Sequence, residues 1–263
     1  MRIAVQEHLL PGRSIRERFD AAAAIGFAGV EVLADDLTDR VPALADTVMQ
    51  TQVAVAAVHM GARAGYLSPV LAEREQAISA LRQAMTDAVD LDAAHVVFVP
   101  GFGPSRMPDL TPYRAPVELE AEMYIWLLRM VSDLAYAIGV ELDMLPVNHY
   151  ESAFLNTMQQ AIHFRQQIRN HPHVKIAANT YHMLLEEAEP AAALRACGDH
   201  LGYVQAADSN GGLPGAGVLD FAQFVASLNS AGYDGWLTIA GRTTGDLQAA
   251  LCHLQGVGLA PEV

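Results

Sequence analysis

Polar side chains gather where the apolar strands of the predicted sheet end. Residues 174–178 form a predicted buried strand, and Asn179, Thr180 and His182 follow it at once. A strand fixes its backbone while the next loop presents side chains, so α/β proteins build sites at such ends. Histidine titrates near neutral pH, and the carboxylate of Glu151, after the preceding strand, can orient the ring of His182. We therefore predict Glu151 and His182 as a catalytic acid/base pair; a structural hydrogen-bonded pair is the alternative.

Further polar residues follow other predicted strands and are candidates for substrate binding. Amides suit an uncharged ligand, whereas an arginine supplies positive charge. A packed or solvated role is the alternative for each histidine and for Glu7, turn capping for Asp208, and an ordinary surface pair for Arg242. The candidates are Asn179, Gln205, His59, Arg242, Asp208, Glu7 and His8.

Apolar runs alternate with helical patterns from one end of the chain to the other. This alternation is typical of a parallel sheet with crossover helices. The predicted strands are 3–5, 29–33, 53–58, 95–99, 140–145, 174–178, 202–206 and 235–239. The predicted helices are 15–25, 41–50, 71–90, 117–138, 153–169, 190–196, 221–230 and one from about 246.

Eight β/α units without a linker predict an α/β protein with a single (β/α)8 barrel, one domain over residues 1–263. The alternative is an open doubly wound sheet, but no Gly-rich phosphate motif follows the first strand. Glu31 and Asp143 lie inside predicted strands, where hydrogen bonds or ion pairs within the barrel are expected for them.

Composition and charge restrict the classes of partner. The formal net charge is -14 and the pI is about 5.0, which disfavours nucleic acid because phosphate binding needs clustered Lys and Arg. No apolar run approaches the roughly 18 residues that span a bilayer, so no membrane partner is predicted. Cys197 and Cys252 match no metal or redox spacing, and residues 1–5 enter a strand directly, without a signal peptide. We therefore expect a cytoplasmic protein, and its arginine- and alanine-rich composition hints at a bacterial source.

Three blocks of the second half resemble the xylose-isomerase-like TIM barrels. LPVNHYE at 145–151, continued by SAFLNT, resembles EPLNRYE with its following FLNT. ANTYHM at 178–183 resembles LDTFHM, and QAADSNGGLPGAG at 205–217 resembles HxxDSNRxxPGxG. Within that family the blocks are most similar to the sugar epimerases and isomerases related to tagatose 3-epimerase and hydroxypyruvate isomerase.

The resemblance implies a divalent metal site whose ligands are replaced in this chain. Members of the family hold manganese, magnesium or cobalt with two Glu, one Asp and one His. The matching positions are Leu145, Asn179, Gln205 and Ala240, which offer two hydrocarbon side chains and two neutral amides. We therefore predict no metal and no other cofactor.

The same resemblance divides the catalytic machinery of the family into lost and retained parts. Its metal-bound glutamates also move the proton, so ordinary ketose epimerisation is expected to be absent. Glu151 and His182 match its substrate-contacting Glu and His, whereas Gly211 replaces its arginine.

These observations favour a metal-independent isomerase, lyase or cyclase-like enzyme of a small carbonyl compound, in a biosynthetic setting. Asn179, Gln205 or Arg242 would stabilise the oxyanion. The alternative is a non-catalytic barrel that binds a ligand or serves as partner subunit of a related active enzyme. The expected partner is a small-molecule substrate, and both a homo-oligomer and a complex with a related enzyme stay open.

Overall fold

Eight parallel strands close into a barrel in the order in which they occur along the chain. The computed structural model describes residues 1–258. The strands, β1 to β8, are Arg2–Gln6, Gly29–Leu33, Ala54–His59, His95–Phe98, Glu141–Met144, Val174–Asn179, Leu201–Ala206 and Trp236–Ile239. β1 pairs with β8 from Arg2 opposite Trp236 to Val5 opposite Ile239, which completes the circle. The predicted (β/α)8 barrel is confirmed, and the open doubly wound sheet is wrong.

Helices surround this barrel. Within the described residues they are, as α1 to α9, Ile15–Ile25, Leu37–Thr51, Leu71–Asp90, Pro116–Ile138, Met158–Gln167, Thr180–Glu186, Pro190–Cys197, Phe221–Ser230 and Leu247–Gly256. Two short 3₁₀ turns, Glu7–Leu9 and Gly198–His200, complete the connections. None of the helices in residues 1–258 is long and apolar enough to cross a membrane.

Local capping chemistry explains where helices begin and end. Ser14 accepts a hydrogen bond from the backbone N–H of Glu17, whose carboxylate accepts in turn from Ser14, so α1 begins with a capping box. α1 ends at Gly26, which has φ +103° and satisfies the last carbonyl groups in a left-handed conformation. Both ends are visible in the sequence, and the predicted helix 15–25 is confirmed.

Two helices of the second half depart from the sequence-based prediction. α5 was expected from residue 153, but it begins at Met158, because Thr157 and Gln160 form a capping box. The short helix α6 was not expected, since its first residues appeared to be a loop. Asn179 caps it by accepting hydrogen bonds from the N–H groups of Tyr181 and His182, at 3.0 and 3.4 Å.

Side chains that face inward fill the barrel in layers below its C-terminal end. Tyr203 is fully buried, and its hydroxyl oxygen lies 2.5 Å from that of Thr238. Ala4, Ala56 and Ala177 belong to the same packed cluster. Small residues leave room for the Tyr203 ring, so the barrel centre is filled and a ligand can enter only at an end.

Replacing Gly202 in β7 with alanine is expected to destabilise the barrel by about 3 kcal/mol or more. A Cβ there would stand 2.0 Å from Asp143 Oδ1 and 2.7 Å from Lys175 Cβ. Strands must move to relieve both contacts. Urea unfolding of Gly202→Ala measures the loss, with Gly256→Ala as control, since a Cβ at Gly256 meets nothing within 4 Å. Equal midpoints for the two variants would contradict this packing.

Candidate active site

A cavity of about 290 Å³ opens at the C-terminal end of the barrel. Its apolar wall comes largely from β4, β5 and their loops, with Val99, Phe102, Leu145 and Val147. Its polar wall comes from the other strands. The polar and charged lining residues are Gln6, His8, Glu31, His59, Glu151, Asn179, Tyr181, His182, Gln205 and Arg242. Seven of the nine residues predicted from sequence for the site therefore line one cavity.

A buried carboxylate at the floor of the cavity organises its polar wall. Glu31 is 2% exposed. Gln6 Nε2 donates to Glu31 Oε1 at 2.7 Å, and Gln205 Nε2 donates to both of its oxygens at 3.0 and 2.9 Å. Among residues 1–258 Glu31 forms no ion pair, and the neutral amides of Gln6 and Gln205 hold its carboxylate.

From its position inside a predicted strand, Glu31 was expected to form a hydrogen bond or an ion pair within the barrel, and it was not among the predicted site residues. Both aspects are visible in the structure: its hydrogen bonds are internal, and its carboxylate also faces the cavity. The available signal was its position in β2, because Glu31 lies opposite Gln6 in the parallel register and Gln6 is the last residue of β1.

The same hydrogen bonds decide whether a divalent cation fits the four positions that match the family's metal ligands. Leu145, Asn179, Gln205 and Ala240 all line the cavity. Leu145 and Ala240 have no donor atom. Asn179 Oδ1 caps α6, and Gln205 Oε1 accepts from Asn179 Nδ2 at 2.9 Å. The amide oxygens are engaged and carry no charge, so these residues do not fit a divalent cation.

Two histidines present ring N–H groups to the cavity. The backbone N–H of Gly61 donates to His59 Nδ1 at 2.9 Å. The backbone N–H of Asn148 donates to His182 Nδ1 at 3.2 Å, and Asn148 Nδ2 lies 2.8 Å from the same atom. Because Nδ1 is the acceptor in each neutral ring, the proton is on Nε2. Both rings are therefore hydrogen-bond donors toward a ligand.

Burial keeps both rings neutral. It lowers the pKa of His59 below its usual value, although the Glu31 carboxylate acts to raise it. Burial likewise lowers the pKa of His182 to about 4, against the opposing effect of Glu151 and with the help of Arg242. A neutral His182 is a donor at physiological pH rather than a proton-accepting base.

We expect the ring of His182 to titrate near pH 4 in histidine NMR spectra. The folded state prefers neutral His182, so its contribution to stability is complete above about pH 6.5, the ordinary pKa of histidine. That contribution is lost progressively as pH falls from there toward about 4. A midpoint for His182 near 6.5 would contradict the buried, neutral ring.

The predicted catalytic pair is not a hydrogen-bonded pair. Asn148 holds His182, whereas Glu151 forms an ion pair with Arg242. The Arg242 guanidinium also lies over the Tyr181 ring, 4.8 Å from its centroid. The ion pair joins the loops after β5 and β8 at the open end of the cavity, where the Arg242 side chain is 57% exposed.

Gly211 binds the backbone of Arg242 and leaves room for its side chain. Its carbonyl accepts from the Arg242 backbone N–H at 2.9 Å, and a Cβ on Gly211 would come within 3.4 Å of Arg242 Cδ. Where the resemblance expects an arginine at position 211, this chain supplies an arginine from the next strand end.

Two residues predicted for substrate binding lie elsewhere. Glu7 is buried beneath the 3₁₀ turn and forms ion pairs with Arg18 and Arg40. Asp208 is 1% exposed, and its carboxylate accepts backbone N–H groups of the β7–α8 loop. Neither residue lines the cavity, because each carboxylate is engaged in holding local structure. His8 does line the cavity, and its Nε2 donates to the carbonyl of Gly241 at 3.0 Å.

Comparisons with known proteins agree with this architecture. The family model described as xylose isomerase-like TIM barrel matches residues 19–254. The chain is 26% identical over 250 residues to a 3-dehydro-D-guloside 4-epimerase of Escherichia coli, covering 92% of each chain. It is 39% identical over 108 residues to a D-psicose 3-epimerase of Enterocloster bolteae, covering 41% of this chain and 36% of that one.

A solved structure shows the same fold. The crystal structure of 3-keto-D-glucoside 4-epimerase from E. coli superimposes with a TM-score of 0.88 at 24% identity, over 97% of this chain and 99% of that one. The match to the family model extends over most of the barrel described above. This chain belongs to the family of xylose isomerase-like TIM barrels.

Proposed function

We propose that the protein is a metal-independent isomerase or epimerase that moves a proton next to the carbonyl group of a small hydroxylated compound. One observation carries the proposal: Glu31 lines the same cavity as His59 and His182, whose neutral rings carry their protons on Nε2. A carboxylate and two neutral imidazole donors are the base and the oxyanion stabilisers that such a proton transfer needs.

The proposed reaction begins when Glu31 takes the proton from the carbon beside the carbonyl. The electron pair of that C–H bond forms a carbon–carbon double bond, and the carbonyl π electrons move to oxygen, which gives an enediolate. The N–H groups of His59 and His182 donate hydrogen bonds to the developing oxyanion. In an isomerisation Glu31 returns the proton to the neighbouring carbon, and the hydroxyl proton on that carbon passes to the oxyanion, so that the carbonyl group changes place. In an epimerisation solvent water gives a proton to the opposite face of the same carbon, the carbonyl group re-forms, and Glu31 releases its proton to the resulting hydroxide.

Glu151 keeps a different role in this scheme. Its carboxylate is paired with Arg242 at the mouth, whereas Glu31 has no cationic partner within the described part of the chain. We therefore assign proton transfer to Glu31, hydrogen-bond donation to His182, and closure of the mouth to the Glu151–Arg242 pair.

The size and the lining of the cavity support a small, hydroxylated ligand. Sites for small molecules occupy about 300–1,000 Å³, so this cavity lies at the lower end. Its amides and imidazoles suit hydroxyl groups, and Phe102 and Leu145 suit the C–H face of a small sugar. The relatives named as sugar epimerases favour isomerisation or epimerisation over the predicted lyase and cyclase alternatives.

The test is proton exchange in deuterated water, with and without metal. The protein is treated with a chelator and incubated, well below its melting temperature, with ketoses and keto-glycosides while NMR follows deuterium at the carbon next to the carbonyl. We expect exchange that persists in chelator and is not raised by added Mn²⁺. Exchange that requires Mn²⁺ would overturn metal independence, and ligand binding without exchange would favour the non-catalytic barrel.

A further inference from the structure

A second group of side chains, of the types that bind metal ions, lies inside the barrel toward its N-terminal end. His95 is the first residue of β4, and Glu141 and Asp143 lie on β5. The register places His95 opposite Glu141. Leu145, which lines the active-site cavity, lies two residues beyond Asp143, about 7 Å farther along the strand. Within residues 1–258 the three side chains do not contribute to that cavity.

The three side chains converge as metal ligands do. One ligand atom from each lies within 4.8 Å of the other two. His95 Nδ1 is 2.9 Å from Asp143 Oδ2 and 3.7 Å from Glu141 Oε2. Bonds of about 2.0–2.2 Å to a tetrahedral ion put neighbouring ligand atoms about 3.4 Å apart. Only small adjustments separate the observed arrangement from a coordination shell.

One carboxylate oxygen of this group has no partner, although it is buried. Asp143 is 0% exposed, and its Oδ1 accepts no hydrogen bond from the residues that the structure describes. Oδ1 belongs to the carboxylate whose Oδ2 contacts His95, and it packs against the backbone of Gly202 in β7. A buried polar atom without a partner is uncommon in folded proteins and points to a missing ion or water.

Within residues 1–258 neither carboxylate of this group forms an ion pair with an arginine or a lysine. Two carboxylates face one imidazole in this group. The Arg2 guanidinium lies over the Trp236 ring, 4.0 Å from its centroid, and Lys175 Nζ donates to the carbonyl of Asp199 at 2.8 Å. Both cations are held by other partners, and the buried Arg165 lies beyond ion-pair distance of both carboxylates.

An ion can reach this group from the N-terminal face. The Glu141 side chain is 30% exposed and that of His95 is 13% exposed, while Asp143 is inaccessible. The partly exposed Glu141 therefore lies at the entrance to the group, and the buried Asp143 lies at its inner end.

We propose that His95, Glu141 and Asp143 bind one divalent transition-metal ion, with Zn²⁺ as the best match. One imidazole nitrogen with carboxylate oxygens suits zinc better than magnesium or calcium, which take oxygen ligands. The site ties β4 to β5 at the end of the barrel that serves stability rather than catalysis. The proposal is independent of the proton transfer at Glu31, because the chemistry there uses no metal.

Calorimetric titration of chelator-treated protein with Zn²⁺, alongside thermal unfolding, tests the site. We expect one ion per chain and a raised melting temperature, with weaker effects of Mn²⁺ and Mg²⁺. Asp143→Asn and Glu141→Gln should each weaken zinc binding by about tenfold or more. Glu31→Gln and Glu73→Gln are the controls, in the other cavity and on the surface, and should leave zinc binding unchanged.

Two results would overturn this site. The first is wild-type protein that binds no zinc, which would leave His95 and Asp143 as a plain buried ion pair. The second is zinc binding that is lost with Glu31→Gln and retained with Glu141→Gln. That result would place the ion in the active-site cavity instead. Glu141 is partly exposed, so its variant reports on the site even where Asp143→Asn does not fold.

Discussion

Glu31→Gln is expected to slow carbonyl-adjacent proton exchange by about 100-fold or more. Removing a general base typically costs 10²- to 10⁴-fold in rate. Glutamine keeps the size of Glu31, and it keeps an oxygen that can accept from Gln205 or Gln6, so the cavity retains its shape. The measurement is the initial rate of deuterium incorporation, compared with the wild-type protein at equal concentration.

Glu151→Gln is the matched control, because it removes the other carboxylate of the cavity by the same chemical change. Its carboxylate serves an exposed ion pair, so we expect less than about a tenfold effect on exchange. A larger loss with Glu151→Gln than with Glu31→Gln would restore the sequence-based assignment of Glu151 as the proton-transferring group. Thermal unfolding of both variants shows whether a lost rate reflects lost chemistry or lost fold.

Asp208→Ala is expected to destabilise the folded protein by about 3 kcal/mol. The Asp208 carboxylate accepts the backbone N–H groups of Ser209, Gly215 and Leu219 at 2.7, 2.9 and 3.1 Å. Each buried donor left without an acceptor costs about 1–3 kcal/mol, and water compensates some of this loss in a loop. Urea unfolding measures the change in the free energy of unfolding.

Asp220→Ala is the control variant, with which the loss of stability in Asp208→Ala is compared. Asp220 caps α8 by accepting a single N–H, that of Gln223, at 2.9 Å. Losing an N-cap costs about 1 kcal/mol. If Asp208→Ala costs no more than Asp220→Ala, the carboxylate does not organise the loop.

We expect the same hydrogen bonds of Asp208 to affect how the stability of the folded protein depends on pH. Burial acts to raise the pKa of Asp208, but the backbone donors outweigh it and hold the pKa below its usual value. The stabilisation is therefore present above about pH 3.9, the ordinary value, and is lost as pH falls through the lower folded-state pKa. The Asp208→Ala variant should lack this part of the acid transition.

Regular elements with clear boundary residues were predictable from the sequence. The helices 71–90 and 221–230 and the strand 29–33 agree with the structure in both bounds. Hydrophobic periodicity identifies such segments, and neighbouring turns limit them. The start of α5 was missed although Thr157 and Gln160 have the spacing of a capping box, because the apolar Phe154 and Leu155 resemble the first turn of a helix.

The site was predictable in its location but not in its pairings. That His59, His182, Asn179 and Gln205 share a cavity follows from strand ends meeting at one face of a barrel. Which partner each side chain takes depends on register and loop path. His182 lies beside Asn148 rather than Glu151. Glu31 of β2 accepts hydrogen bonds from Gln205 of β7 across the barrel. A linear sequence does not specify such contacts across the barrel.

The ion pair of Arg242 with Glu151 gives ligand exchange a rate that depends on salt. The pair joins the loops after β5 and β8 at the mouth of the cavity, so its rupture widens the path of an entering or leaving ligand. An exposed ion pair contributes up to about 1 kcal/mol and weakens as salt screens it. Association and dissociation rates should therefore both rise with ionic strength, by about fivefold at most, when the pair re-forms over the bound ligand. The pair then sets the residence time of the ligand and leaves its affinity unchanged.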